Sequence, residues 1–165
     1  MSPQLSPHIL LRIIDSFVSP IRQECQRGAS LDELIAAATR YRYPLSVFLE
    51  NLILQISTSE YGIVADSATE AYPQLQQVLN NVEWRSRAPI ELIELGRVLS
   101  RILYDWSDIP GRGYLNNPTL ARKFIVNRMP VLFERLLTYA TLRSNVPLAE
   151  AVKRIQKAWR GLFGA

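Results

Sequence analysis

The residues that most often carry catalysis are scarce in this sequence, which holds one histidine, His8, and one cysteine, Cys25. Nucleophilic catalysis needs a base within hydrogen-bond reach of its nucleophile. If residues 6–26 form one helix, the 17 steps from His8 to Cys25 separate the two by about 25 Å along the helix axis. The sequence therefore predicts no dyad between them, and we interpret His8 as a surface or first-turn residue.

Other patterns that could do chemistry are also weak. Glu91 and Glu94 could share a hard cation on one helical face. With Pro89 just before them they are better explained as acids at the positive end of a helix. The segment Pro110–Gly113 is too short to cradle a phosphate, and no Lys-Ser/Thr pair follows it. The sequence thus predicts no catalytic residue, no metal site and no cofactor, and so a protein that is not an enzyme.

Composition favours a single globular domain over residues 1–165, with 48% apolar and 21% charged residues. A lone cysteine permits no internal disulfide, which suits a reducing cytosol, so we expect a cytoplasmic protein. Arg12 and Asp15 interrupt the first apolar run, so no signal peptide is expected. The most apolar segment, Leu45–Ile56, is far shorter than the about 20 residues of a membrane span, and no integral membrane insertion is expected.

Helical periodicity dominates the chain, and no stretch alternates with period two. The clearest stripe runs from Pro89 to Trp106, where apolar residues recur at three-and-four spacing. Capping patterns at Ser30 with Glu33, at Ser67 with Glu70, and at Asn117 with Pro118 mark further helix starts. The sequence predicts an all-α, single-domain bundle of six to eight helices. The predicted helices are residues 6–26 with a kink or a restart at Ser19-Pro20, 31–41, 44–56, about 67–80, 89–106, 118–128 resuming after Pro130, and 147–163, with loops at 57–62 and 107–117.

Charge divides the chain into an acidic and a basic half. Residues 1–82 hold five arginines and eight acids, a net charge of −3, whereas residues 83–165 hold fourteen cations and seven acids, a net charge of +7. From Ile109 onward the net charge is +8, and sixteen of the nineteen cations are arginine, which forks onto phosphates and stacks on bases. This asymmetry indicates an anionic partner.

The last helix has the clearest two-sided pattern. Leu148, Val152, Ile155, Trp159 and Leu162 form an apolar stripe. The cations Lys153, Lys157 and Arg160 lie on the opposite face, and Arg154 lies at its margin. Three interpretations stay open: a helix docked on the bundle with solvated cations, a surface that follows phosphates, or a helix that binds a membrane surface or a partner groove.

Cations and aromatic residues earlier in the basic half favour the phosphate interpretation. Arg112 stands near Tyr114 in the loop, and three further cations follow in the next helix. Cations interleaved with aromatic rings suit backbone neutralisation combined with base stacking. The predicted nucleic-acid-binding residues are Arg112, Tyr114, Arg122, Lys123, Arg128, Lys153, Arg154, Lys157 and Arg160.

A small all-α chain with one basic face and no catalytic residues is similar to the small helical subunits of CRISPR interference complexes. It also resembles the C-terminal helical portion of their large subunits. The resemblance rests on helix count and charge pattern, so it assigns no residues. It implies a structural subunit lying along a crRNA-guided complex and contacting the target or displaced strand.

We therefore expect a non-enzymatic helical subunit of a nucleoprotein assembly, with single-stranded DNA or RNA and protein subunits as its partners. The alternatives are a protein–protein adaptor or assembly factor that binds an acidic protein, and peripheral association with an anionic membrane through the last helix.

Overall fold

The computed structural model describes residues 5–25, 42–107 and 118–164, together with Gly28, Ser30, Asp32 and Glu33. No β-strand occurs in these ranges, and the prediction of an all-α bundle is confirmed. The α-helices of the described residues are α1 (Pro7–Cys25), α2 (Arg42–Ile56), α3 (Ala68–Asn80), α4 (Val82–Arg87), α5 (Ile90–Ser107), α6 (Pro118–Lys123), α7 (Met129–Leu142) and α8 (Val146–Phe163). Two π-helical segments extend them: the first π turn (Ser57–Tyr61) and the second π turn (Phe124–Arg128).

The six longer helices pack as a closed ring of neighbours. Helix α1 contacts α2 and α8, α8 contacts α7, α7 contacts α5, α5 contacts α3, and α3 returns to α2. Every one of these helices contributes buried side chains to one hydrophobic cluster. Representative members, in chain order, are Leu10, Phe48, Leu75, Leu99, Leu136 and Trp159. Burial of this shared cluster is the main term that holds the ring together.

Several helix ends follow the predicted capping chemistry. Ser67 is the N-cap of α3 and its Oγ accepts the N–H of Glu70 at 3.3 Å, while the Glu70 carboxylate accepts the N–H of Asp66 at 3.0 Å. Such reciprocal bonds satisfy donors that a helix start leaves free. Asn145 caps α8, and Gly164 ends it in the left-handed region at φ 76°. The capping box predicted at Ser67 and Glu70 is confirmed.

Other predictions need correction. Residues 57–62 were expected to be a loop, but Ser57–Tyr61 continue α2 as the first π turn, because Ser57 and Ser59 are buried against the bundle. Helix α3 contains a proline, Pro73, in its interior. The missing N–H of Pro73 leaves the carbonyl of Thr69 without its helical donor, and Thr69 is an exposed residue that solvent can reach. The short helix α4 was not predicted. Its N-cap is Asn81, whose side chain accepts the N–H of Trp84.

Two predicted features fall largely outside the described residues. The helix expected over 31–41 is described only at its beginning, where Glu33 N–H donates to Ser30 Oγ at 3.3 Å and the Ser30 hydroxyl donates to the Glu33 carboxylate. The loop expected at 107–117 lies outside the described ranges after Ser107.

Glycine at position 96 permits close packing between α3 and α5. A Cβ placed there would lie 2.7 Å from Leu79 Cδ2 and 3.1 Å from Tyr61 Oη. Tyr61 is itself held in place, since its hydroxyl donates to the carbonyl of Leu92 at 3.0 Å. Burial raises the pKa of Tyr61 well above its ordinary value, with smaller contributions from Glu60 and Tyr139. The hydrogen bond of Tyr61 and its close packing at Gly96 therefore hold the first π turn against α5.

The same turn is tied to α7 through a second tyrosine. Tyr139 donates its hydroxyl to the Glu60 carboxylate, and the guanidinium of Arg143 lies 4.9 Å from the Tyr139 ring centre. Burial raises the pKa of Tyr139, and the hydrogen bond to Glu60 raises it further, while Arg143 lowers it. Two consecutive residues, Glu60 and Tyr61, therefore connect the π turn to α7 and α5.

The packing at Gly96 predicts that Gly96→Ala destabilises the protein. Overpacking costs about 1–3 kcal/mol, which outweighs the about 1 kcal/mol that alanine gains over glycine in a helix. The matched control is Gly161→Ala in α8, where a new Cβ meets nothing within 4 Å. We expect urea denaturation to show a loss for Gly96→Ala and a gain for Gly161→Ala. Equal gains for both would contradict this packing.

Candidate functional site

Helix α8 docks on the bundle through one continuous face. The buried residues of α8 are Leu148, Ala151, Val152, Ile155, Trp159, Leu162 and Phe163. They include all five members of the predicted apolar stripe, which is therefore confirmed. Pro147 suits the first turn, because the N–H that proline lacks would have no partner there.

Trp159 is the centre of this docking face and is only 3% exposed. Its ring lies 6.3 Å from that of Phe48 in α2, 5.5 Å from that of Phe133 in α7 and 4.8 Å from that of Phe163 in α8. The contact with Phe133 is edge-on, a geometry that aromatic quadrupoles favour. One indole thus joins three helices.

The indole also makes a buried hydrogen bond to the second π turn. Trp159 Nε1–H donates to the carbonyl of Ile125 at 3.2 Å. That carbonyl lacks its usual donor, because the N–H of Met129 goes to Phe124, five residues earlier. In the same five-residue register the next donor would be residue 130, which is proline and has no N–H. Trp159 therefore satisfies an acceptor that Pro130 and the π turn leave open.

Docking of the apolar face turns the cations of α8 outward. Lys153, Arg154, Lys157 and Arg160 are all exposed. Lys153 lies 3.9 Å from Glu150, a loose contact between two exposed side chains. Arg154, Lys157 and Arg160 form no ion pair with any residue that the structure describes.

Two of these cations share a groove with a residue from the opposite end of the chain. Arg154 and Lys157 line an open groove of about 450 Å³ together with Arg22 of α1. Ala158, Gly161 and Leu162 of α8 complete its lining. We call this feature the α1–α8 groove. It places three cations around a floor of hydrocarbon and bare backbone.

Sequence reasoning missed Arg22 because it lies in the acidic half of the chain. Only the packing of α1 on α8 brings it beside Arg154 and Lys157. The one available signal was its position near the end of the first amphipathic helix, away from the apolar stripe.

The predicted cations before α8 do not join this groove. Arg122 forms an ion pair with Asp32, and Arg128 Nε donates to Asp105 at 2.9 Å with both side chains about one-fifth exposed. These carboxylates therefore neutralise much of the positive charge of two arginines that were predicted to bind an external anion. Lys123 is half-buried.

The two predicted residues of the loop, Arg112 and Tyr114, lie outside the described residues. Before that loop, Tyr104 packs on Tyr72 at 5.9 Å between ring centres and lies under the Arg101 guanidinium at 5.6 Å.

Other kinds of site find little support in the described part of the chain. No three potential metal ligands cluster among these residues, and His8 is an exposed residue in the first turn of α1, as predicted. None of the described helices combines the length and apolar character that crossing a membrane requires. The apolar face of α8 is buried in the bundle, so it offers no free surface for peripheral membrane binding.

No family model matches the sequence, and no curated protein or solved structure matches it.

The indole hydrogen bond predicts that Trp159→Phe destabilises the protein by more than lost ring area alone. An orphaned buried carbonyl costs about 1–3 kcal/mol. Trp84→Phe is the control, because Trp84 packs on Tyr61 at 6.0 Å between ring centres and is half-buried, without an indole hydrogen bond among the described residues. Chemical denaturation should show the larger loss for Trp159→Phe. Equal losses would contradict the role of the bond.

Proposed function

We propose that this chain is a non-enzymatic helical subunit of a larger nucleoprotein assembly, and that the outward face of α8 holds the backbone of a nucleic acid. The observation that carries the proposal is the α1–α8 groove, where Arg22, Arg154 and Lys157 converge from two helices. Cations that neutralise phosphates release counterions, which is the main source of affinity in sequence-independent binding.

The arrangement of charge within α8 supports an external anion. Lys157 lies four residues after Lys153, three after Arg154 and three before Arg160, so it neighbours all three on the helix surface. Like charges at these spacings destabilise a helix by about 0.2–0.5 kcal/mol per pair. Among the described residues, Glu150 is the one acid that forms an ion pair with these cations, at 3.9 Å from Lys153. A bound chain of phosphates would relieve the repulsion between the like charges.

A second surface suits the protein partners of an assembly. The ion pairs Glu94–Arg135 and Asp105–Arg128 show that α5 and α7 run antiparallel. The start of α5 therefore lies beside the end of α7. Four exposed aliphatic residues belong to the helix ends concerned or to the segments next to them: Val82, Ile90, Leu142 and Val146. Exposed apolar groups in one region favour contact with another protein. Membership of a CRISPR interference complex stays a prediction.

Titration with fluorescent single-stranded DNA, duplex DNA and RNA across a salt series tests the proposal. We expect the double variant Arg154→Glu/Lys157→Glu to lose at least about tenfold in affinity at low salt, because counterion release falls with each lost phosphate contact. The control Arg85→Glu/Arg87→Glu changes two exposed cations of α4 and alters net charge equally. It should bind nearly as the wild type does.

Two results would contradict the proposal. Equal losses in both double variants would show that only net charge matters and that α8 forms no site. Absence of binding by the wild type at about 50 mM salt, a condition that favours phosphate contacts, would favour the alternative of an acidic protein partner. That adaptor function predicts a stoichiometric complex that survives nuclease treatment.

A further inference from the structure

We infer that the α1–α8 groove takes a single strand, with phosphates on its cations and a base on its floor, in preference to a duplex. This inference rests on the proposed function and adds the form of nucleic acid that the groove accepts. It follows from the chemistry of the floor, which differs from that of the cations around it.

The floor consists of hydrocarbon and backbone. Ala158 is half-buried, Leu162 is 6% exposed, and Gly161 is exposed. Nothing lies within 4 Å of the point where a Cβ of Gly161 would stand. The groove is therefore open directly above the backbone of α8, with room for a flat ring.

The cations stand close to this floor. Arg154 is four residues before Ala158, and Lys157 is four residues before Gly161. Each cation thus lies about one turn, or roughly 5.4 Å, from a floor residue on the same face. Arg22 approaches from α1. A ligand that covers the floor while meeting these cations must present an apolar face beside its negative charge.

A single strand meets this requirement and a duplex does not. In a duplex the base faces are stacked on each other and only sugars, phosphates and groove edges are accessible. The apolar floor would then lie against charged phosphates, for which it offers no counter-charge. Unstacked bases of a single strand offer apolar faces next to phosphates, and an arginine plane can stack on them.

An abasic oligonucleotide tests the inference, because it keeps the phosphates and lacks the bases. We expect wild-type protein to bind an intact single strand about tenfold more tightly than an abasic strand of equal length, as base stacking on a protein surface contributes on that scale. It should also prefer the intact strand to duplex DNA of that length. Gly161→Leu fills the space above the floor and should reduce the preference for bases, measured as the ratio of the affinities for the intact and the abasic strand.

The outcomes separate this inference from the proposed function. Equal affinity for intact and abasic strands, with both weakened by Arg154→Glu/Lys157→Glu, would overturn the base contact and leave phosphate binding intact. A preference for bases that survives undiminished in a folded Gly161→Leu variant would place the base contact elsewhere and overturn the role of the groove. Failure to bind any of these probes would overturn both. The wild-type comparison of the two strands decides the base contact even if Gly161→Leu does not fold.

Discussion

The hydrogen bond from Trp159 to the carbonyl of Ile125 is the constraint on which the arrangement of this bundle depends. Pro130 removes one donor from the helix ladder, and the second π turn shifts the N–H of Met129 to Phe124. The open acceptor lies in a buried region, where leaving it unpaired costs more than a hydrogen bond normally contributes. One indole N–H fills the gap, while its ring touches three phenylalanines. A single side chain, Trp159, thus fixes the position of α8 through both its packing and its hydrogen bond.

Because Trp159 fixes the rotation of α8 about its axis, it also decides which residues face solvent. The apolar stripe is inside, so Lys153, Arg154, Lys157 and Arg160 point outward. The contact between α8 and α1 then adds Arg22 to the same surface. A cationic groove therefore arises as a consequence of core packing. Two tyrosine hydrogen bonds, from Tyr61 to the carbonyl of Leu92 and from Tyr139 to the carboxylate of Glu60, hold the first π turn against α5 and α7.

Local sequence patterns were enough to predict most of the fold but only part of the candidate site. The apolar stripe of α8 and the capping box of Ser67 and Glu70 depend on residues close in sequence, so periodicity and capping chemistry sufficed to predict them. The π turns were not predictable in this way, since the second depends on an indole 34 residues away. The pairing of Arg122 with Asp32 and of Arg128 with Asp105 likewise depends on helix packing. A charge count cannot distinguish such internally paired cations from those left facing solvent, and it could not place Arg22 beside α8.

A double-mutant cycle between Trp159 and Pro130 tests the central constraint most directly. Alanine at position 130 restores a backbone N–H. That donor lets the helix backbone satisfy the carbonyls one turn earlier, including that of Ile125, without the indole. The loss of unfolding free energy caused by Trp159→Phe should therefore be smaller in the Pro130→Ala background than in the wild type, by about 0.5 kcal/mol or more, as coupled neighbours show. Losses that agree in the two backgrounds to within about 0.3 kcal/mol, the behaviour of independent sites, would show that the indole does not replace the donor that Pro130 lacks.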